Sequence, residues 1–341
     1  MARASQSKEQ TVADIGERGL LRSLYRKLGQ SQQPGVLAGV GDDAALLEQV
    51  GPAAVVSTDT LIERVDFDFA WARWRDVGHK AAAVNLSDLA AMGASPRGLL
   101  LSLSVRGHDR YAEVMSLVDA LQRLGVRHGA PLVGGDISAT DGPLVVTVTA
   151  IGQVTQRRVL RRWRGRPGDV ILVTGTLGAA AAGLAALQAG ESAPSGVIKR
   201  QLRPEPRVQM GLALGNSGKV RAAADISDGL AIDAQHLAGE HCTVRLDVRA
   251  LPLASGVRRL ANQLGYSPWQ WGLSGGEDFE LVLAVAPKHV DALQDVGRQW
   301  GVKLSRVGQV VHGRAPQLVD APAGVVPSGY EHFGVTAAPR Q

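Results

Sequence analysis

The chain has 341 residues, too many for one ordinary small domain and, at about 100–200 residues per domain, enough for two. Hydrophobic residues make up 45% and charged residues 20%, which excludes a disordered, collagen-like or heptad-repeat chain. The net charge of +5 admits a nucleic-acid or an anionic small-molecule partner, and one cysteine, Cys242, excludes an internal disulfide framework and a cysteine-based zinc cluster.

Asp14 to Leu28 has helical spacing, with Leu20, Leu21, Leu24 and Leu28 available for one face. Ala53–Thr58 reads as a strand, Asp76 to Met92 as an Ala-rich helix ending at Gly93, and Gly98 to Val105 as a strand. Arg110 to Leu124 is a second helix carrying Val114, Leu117, Val118, Leu121 and Leu124, and Pro131–Val133 and Leu144–Ile151 are short strands. The stretch 157–166 holds Arg157, Arg158, Arg161, Arg162, Arg164 and Arg166, each readable as part of a solvated basic linker, and ends in the turn Pro167-Gly168-Asp169. The domain boundary is therefore expected near 155, giving domains 1–155 and 156–335.

The second half restarts with a strand at 170–174, a glycine turn and a helix at 178–189. Val170 to Gly190 lacks any charge, but a β-branched run followed by an Ala-rich helix explains it better than a membrane span. A strand near Val244–Val248, another at Leu281–Val285 and a helix from Lys288 to Trp300 follow. Strands alternating with helices predict an α/β or α+β chain in two halves. The start, MARASQSKEQ, lacks an apolar targeting core, so a cytoplasmic protein is expected.

The acidic residues cluster beside Gly, Ser or Thr at the ends of apolar runs: GVGDDAALL (39–47), VVSTDTL (55–61), VNLSDLAAMGA (84–94), LVGGDISAT (132–140), AAADISDGLAID (222–233) and LSGGEDFELVL (273–283). Each alone reads as a turn. Together they suit magnesium-dependent phosphate chemistry, because Mg²⁺ prefers oxygen donors and bridges carboxylate to phosphate, and glycine lets the backbone approach closely. A P-loop, a G-x-G-x-x-G turn, a G-x-S-x-G elbow and an H-E-x-x-H pair are all absent.

In order and spacing these segments, with STDTLIE, RPGDVILVTGTLG, RPEPRV and GYEHF, resemble the thiamine-monophosphate kinase family, in the superfamily that also contains aminoimidazole ribonucleotide synthetase. The resemblance runs from about residue 15 to Phe333. It implies transfer of a phosphoryl group from ATP to thiamine monophosphate, and two α/β domains. The first would bind ATP and magnesium and dimerise through β-strands, and the second would close an active-site cleft. Carried over residue by residue, it implies magnesium ligands at Asp43, Ser57, Thr58, Asp59, Asp88, Asp136, Asp225 and Asp228, and ATP contacts at Gly135, Asp136, Arg162 and Ser227. Glu277 and Tyr330 would touch the thiamine moiety. Where the family has T-D-T-L-V-x-x-x-H-F with a substrate-contacting His, this chain has Asp66, which an attraction to the cationic thiazolium would accommodate and a phosphate would repel.

The acceptor phosphate has a second pKa near ~6, so it is already dianionic at neutral pH. The expectation is direct in-line transfer with no general base, no nucleophilic side chain and no phosphoenzyme, driven by positioning and by several Mg²⁺ ions. Two rivals remain: another ATP-dependent synthetase of the superfamily, and a catalytically dead nucleotide-binding or nucleic-acid-binding regulator. What is known of the superfamily disfavours the first, since its selenophosphate and hydrogenase-maturation members carry a cysteine near one end that is missing here and aminoimidazole ribonucleotide synthetase lacks the pairing of STDTL with NLSDLAAMGA; the intact carboxylates disfavour the second. No nucleic acid and no membrane partner is expected.

Overall fold

The structure, a computed structural model, describes residues 10–28, 34–38, 46–48, 51–154 and 159–331; Asp43, Arg157, Arg158 and Phe333 lie outside them. Backbone contacts group the chain into two units, Met1–Asn85 with Pro96–Gln153, and Leu86–Ser95 with Val154–Gln341.

The first unit opens with α1 (Val12–Ile15) and α2 (Glu17–Leu28) where the sequence suggested one helix. Thr11 and Asp14 cap α1 reciprocally, and Gly16 at φ 68° breaks the rod. Leu20, Leu24 and Leu28 are buried as their spacing predicts, whereas Leu21 is half-buried. A short antiparallel ribbon joins β1 (Val36–Ala38) and β2 (Leu46–Leu47). The main sheet has the order β3-β6-β4-β5, from β3 (Ala53–Ile62), β4 (Ser95–Val105), β5 (Leu132–Ala139) and β6 (Val145–Val154). Strands β4 and β5 run parallel, joined through α4 (Tyr111–Arg127). The other long helix, α3 (Trp74–Ala91), meets α4 backbone to backbone: a Cβ on Gly78 would lie 2.0 Å from the Leu117 carbonyl oxygen.

The second unit is built on a six-stranded sheet of order β12-β9-β11-β7-β10-β8. Its strands are β7 (Val170–Thr174), β8 (Val220–Asp225), β9 (Cys242–Asp247), β10 (Leu281–Val285), β11 (Leu304–His312) and β12 (Gln317–Val319). Every pairing is antiparallel except β12 with β9. It follows that β7, β8 and β9 begin at the sheet end where β10 and β11 finish. All five residues of β7 and of β10 are buried, which explains the apolar runs Val170–Val173 and Leu281–Val285. The unit's helices are α5 (Ala179–Ala189), α6 (Ser195–Leu202), α7 (Val208–Ser217), α8 (Leu230–Gln235), α9 (Val257–Leu264), α10 (Pro268–Ser274) and α11 (Val290–Gln299); α7, α8 and α11 meet the sheet, while α6 and α9 pack on α5. The uncharged stretch 170–190 resolves into β7, two left-handed glycines (Gly175 and Gly178) and α5. Among the described residues no helix is long and apolar enough to cross a membrane.

Candidate active site: a buried carboxylate cluster and the strap beside it

In the second unit β8 delivers Asp225 as its last residue, 2% exposed. The Ser87 hydroxyl donates to Asp225 Oδ2 at 2.8 Å. Asp225 Oδ1 accepts no hydrogen bond, and the Arg162 guanidinium stands 3.9 Å away. Burial, then the charge of Asp88, pushes the Asp225 carboxyl up to about 7. The chain then turns through Ile226-Ser227-Asp228-Gly229. The N–H groups of Ser227, Asp228 and Gly229 each donate to Asp233 Oδ2 at 3.0 Å, so one carboxylate fixes the whole turn. Burial, then Asp225 and Asp228, pushes Asp233 up to about 8 against the pull of those donors. Burial, then Arg162, holds His236 below its ordinary value.

The segment 274–280 straps this turn in place. Glu277 N–H donates to the Ser227 carbonyl at 2.7 Å, Phe279 N–H to the Ile226 carbonyl at 2.9 Å, and Ile226 N–H to the Glu280 carbonyl at 2.9 Å. To make these bonds Glu277 (φ 56°) and Phe279 (φ 49°) adopt left-handed backbone, a strained state for side chains with a Cβ. The rest of the motif anchors the strap. Gln201 donates to Glu277 at 2.8 Å. Glu280, fully buried, accepts from the Thr174 hydroxyl at 2.7 Å, from Arg207 at 2.6 and 2.5 Å and from Arg200 at 3.0 Å. A Cβ on Gly175 would fall 2.1 Å from that carboxylate, which is why glycine follows Thr174. Tyr330 N–H donates to the Asp228 carbonyl at 3.0 Å, bringing the Tyr330 backbone to the same turn, and its side chain is exposed.

Asp278 caps α5 from a distant part of the chain: its Oδ2 accepts from the Gly178 N–H at 2.8 Å. Burial pushes Asp278 up to about 7, above the ordinary 3.8. A raised native value means that the protonated form favours the fold, so this contribution is complete below about 3.8 and is lost as pH rises through about 7. Thermal melts of Asp278→Asn and of the parent should therefore diverge across that interval, with the parent losing stability relative to the variant as pH rises. Parallel pH profiles would show that Asp278 is not the titrating group.

In the first unit, Ser57 and Asp59 share one face of β3 and Thr58 the other, because strand side chains alternate. The Thr58 hydroxyl donates to the Val148 carbonyl at 3.1 Å. Asp136, exposed on β5, stands opposite Ser102 and accepts from Ser138 at 3.3 Å. Gly135 is explained by crowding, since a Cβ there would lie 1.9 Å from the Leu101 carbonyl oxygen. Asp66 accepts the Ile62 N–H at 2.8 Å and so closes the turn after β3. Asp43 falls outside the described residues.

Among the described residues no group of three or more His, Cys, Asp or Glu could hold a metal by itself. Asp88 and Asp225 nevertheless fit a hard cation: two like charges act on one another, one buried oxygen is unsatisfied, and the donors are oxygen only. The roles of Ser87, Asp233, Asp278 and Glu280 are not read from the sequence, although all four lie inside the acidic segments. The signal for each is an acidic or hydroxyl residue beside a more prominent aspartate or glutamate of the same motif.

Two family models match in succession, AIR synthase related protein, N-terminal domain, over 41–154, and AIR synthase related protein, C-terminal domain, over 166–321. The fold and the site thus define an AIR-synthase-related protein of two α/β domains. A thiamine-monophosphate kinase of Salmonella typhimurium is 38% identical over 331 residues, 93% of this chain and 98% of the relative. The crystal structure of thiamine-monophosphate kinase from Stenotrophomonas maltophilia K279a superposes with a TM-score of 0.78 at 36% identity, covering 88% of this chain and 95% of that one. AaThiL complexed with AMPPCP and TMP gives a TM-score of 0.72 at 27% identity, over 96% of this chain and all of that one. The chain belongs to the thiamine-monophosphate kinase family, phosphotransferases whose acceptor is itself a phosphate.

Proposed function

We propose that the chain phosphorylates thiamine monophosphate to thiamine diphosphate with ATP, by direct in-line transfer. The observation that carries this reading is Asp225: buried, pressed by Asp88, with an unbonded oxygen and Arg162 at 3.9 Å. Magnesium would be held by Asp43, Asp59, Asp88, Asp136, Asp225 and Asp228, with oxygens of Ser57 and Thr58. Bound there, it would offset the negative charge of two anions that must meet. Gly135, Asp136, Arg162 and Ser227 hold the nucleotide, and Arg162, 43% exposed at its side chain, reaches phosphate while its other neighbour is Asp225. Glu277 and Tyr330 orient the thiamine moiety. Asp66, which accepts the Ile62 N–H, would favour the cationic ring of the substrate over its phosphate. The acceptor dianion needs no base, so the chain's own part is to align the two phosphates and exclude water. The protein works in the cytoplasm as a homodimer.

A coupled ADP-release assay tests this, offering thiamine monophosphate, thiamine and aminoimidazole precursors with and without Mg²⁺. Turnover only with thiamine monophosphate and Mg²⁺ is expected. Turnover of free thiamine instead, or of an aminoimidazole precursor, overturns the substrate. ATP binding without any turnover would favour the regulator. Arg162→Ala should raise KM for ATP by about tenfold, the loss of one charge-assisted phosphate contact, and leave KM for thiamine monophosphate within about twofold.

A further inference from the structure

Within the second unit a cavity of about 960 Å³ opens among Arg161, Trp163, Arg164, Arg166 and Arg221. Its other walls come from the start of β8 at Val220, the start of β9 at Cys242 and the end of β11 at His312. The antiparallel pairing puts these three points at one end of the sheet and Asp225 at the other. Along β8 the separation is five residue steps, roughly 17 Å at about 3.3 Å each. The cavity is therefore not the carboxylate site, although one short segment supplies both: Arg162 to Asp225, Arg161 and Arg164 to the cavity.

The charge balance is lopsided. Arg221 is neutralised by Asp169 at 2.8 Å. Arg161, Arg164 and Arg166 are exposed and have no carboxylate partner among the described residues. Glu240 is the opposing charge in the wall, but its side chain is 88% exposed and lies 3.4 Å from His241. The nearby C-terminal end of α7 at Gly215–Gly218 opposes an anion weakly, through the helix dipole. Three unneutralised guanidinium forks call for several phosphate oxygens rather than one, since each fork takes two. Trp163, 58% exposed and held at φ 63° beside the His236 ring, adds an aromatic face to the same wall.

We propose that this cavity is a second, metal-independent anion site, which takes a diphosphate ester whose alcohol part carries an aromatic ring. Nucleoside diphosphates and thiamine diphosphate share that chemistry. The site stands whether or not the kinase reading does.

Metal dependence separates the two sites. Without a divalent cation the carboxylate cluster repels polyphosphate, whereas the arginine cavity needs none. Calorimetric titration of the protein in excess EDTA, with inorganic pyrophosphate, ADP and thiamine diphosphate in separate arms, should show binding that weakens as salt rises. The double variant Arg164→Ala/Arg166→Ala should weaken it at least about tenfold while its melting temperature and its Mg²⁺-dependent ADP release stay at the parent's values. ADP or thiamine diphosphate should bind more tightly than pyrophosphate, the stronger of the two naming the ligand, and Trp163→Ala should abolish that advantage. Absence of binding in EDTA, or equal binding by the arginine variant, sinks the site. Equal affinity of all three probes overturns the ring.

Discussion

Asp88→Asn is expected to lower Mg²⁺-dependent turnover by about 10²-fold or more, the scale of losing one preorganised electrostatic group, and to raise the melting temperature. The two shifts have one origin. In the folded chain Asp88 acts on the buried Asp225 as a like charge, a repulsion the fold carries while no cation is bound. Asparagine removes that repulsion and keeps the size of the side chain. The second unit should then unfold later, whereas the phosphate chemistry loses a ligand. Steady-state rates at saturating ATP, read beside thermal melts in EDTA, check both. Near-parent turnover would count heavily against Asp88 as a bridging ligand, and a lower melting temperature would make its role structural.

Glu280→Ala is the substitution expected to cost most in stability. It strands the Arg200 and Arg207 guanidiniums and the Thr174 hydroxyl around a hole at the start of β10. Removing one partner of a buried ion pair costs about 3–5 kcal/mol. For a unit of this size each kcal/mol moves the melting temperature by about 2–4 °C, so a fall of roughly 10 °C is expected. Glu280→Gln keeps the shape and part of the hydrogen bonding and should lose less. The strap also fixes the 226–229 turn through three backbone bonds. KM for thiamine monophosphate should therefore rise in the glutamine variant more than kcat falls. A melting temperature unchanged by the alanine substitution would refute the anchoring role.

Strong local patterns were legible from the sequence. Strand Leu281–Val285 falls where the apolar run predicts, and α4 buries the leucines and valines its spacing selects. The pattern over Lys288 to Trp300 predicts one helix, but Pro287–His289 forms a 3₁₀ turn and α11 starts at Val290. Strand β8 was invisible, because VRAAAD is rich in a residue that favours helices and is strand only by pairing with β10. Helices α6 and α7 went unread for want of a sustained apolar stripe. At the site, each acidic segment was legible singly. The knot around Glu280 was not, since its arginines lie 80 and 73 residues away and only the fold makes them neighbours.

The strand order of the six-stranded sheet governs how this chain is made. Its interior strand β7 pairs on one side with β10 and on the other with β11, both more than a hundred residues downstream. A ribosome that has released β7 must therefore synthesise most of the remaining chain before that strand finds either neighbour. Loop closures this long slow folding, and an unpaired strand with a run of four apolar residues, Val170–Val173, is an aggregation template meanwhile. Chains truncated before residue 304 would leave one side of β7 permanently bare, so incomplete translation products of this protein should partition into the insoluble fraction.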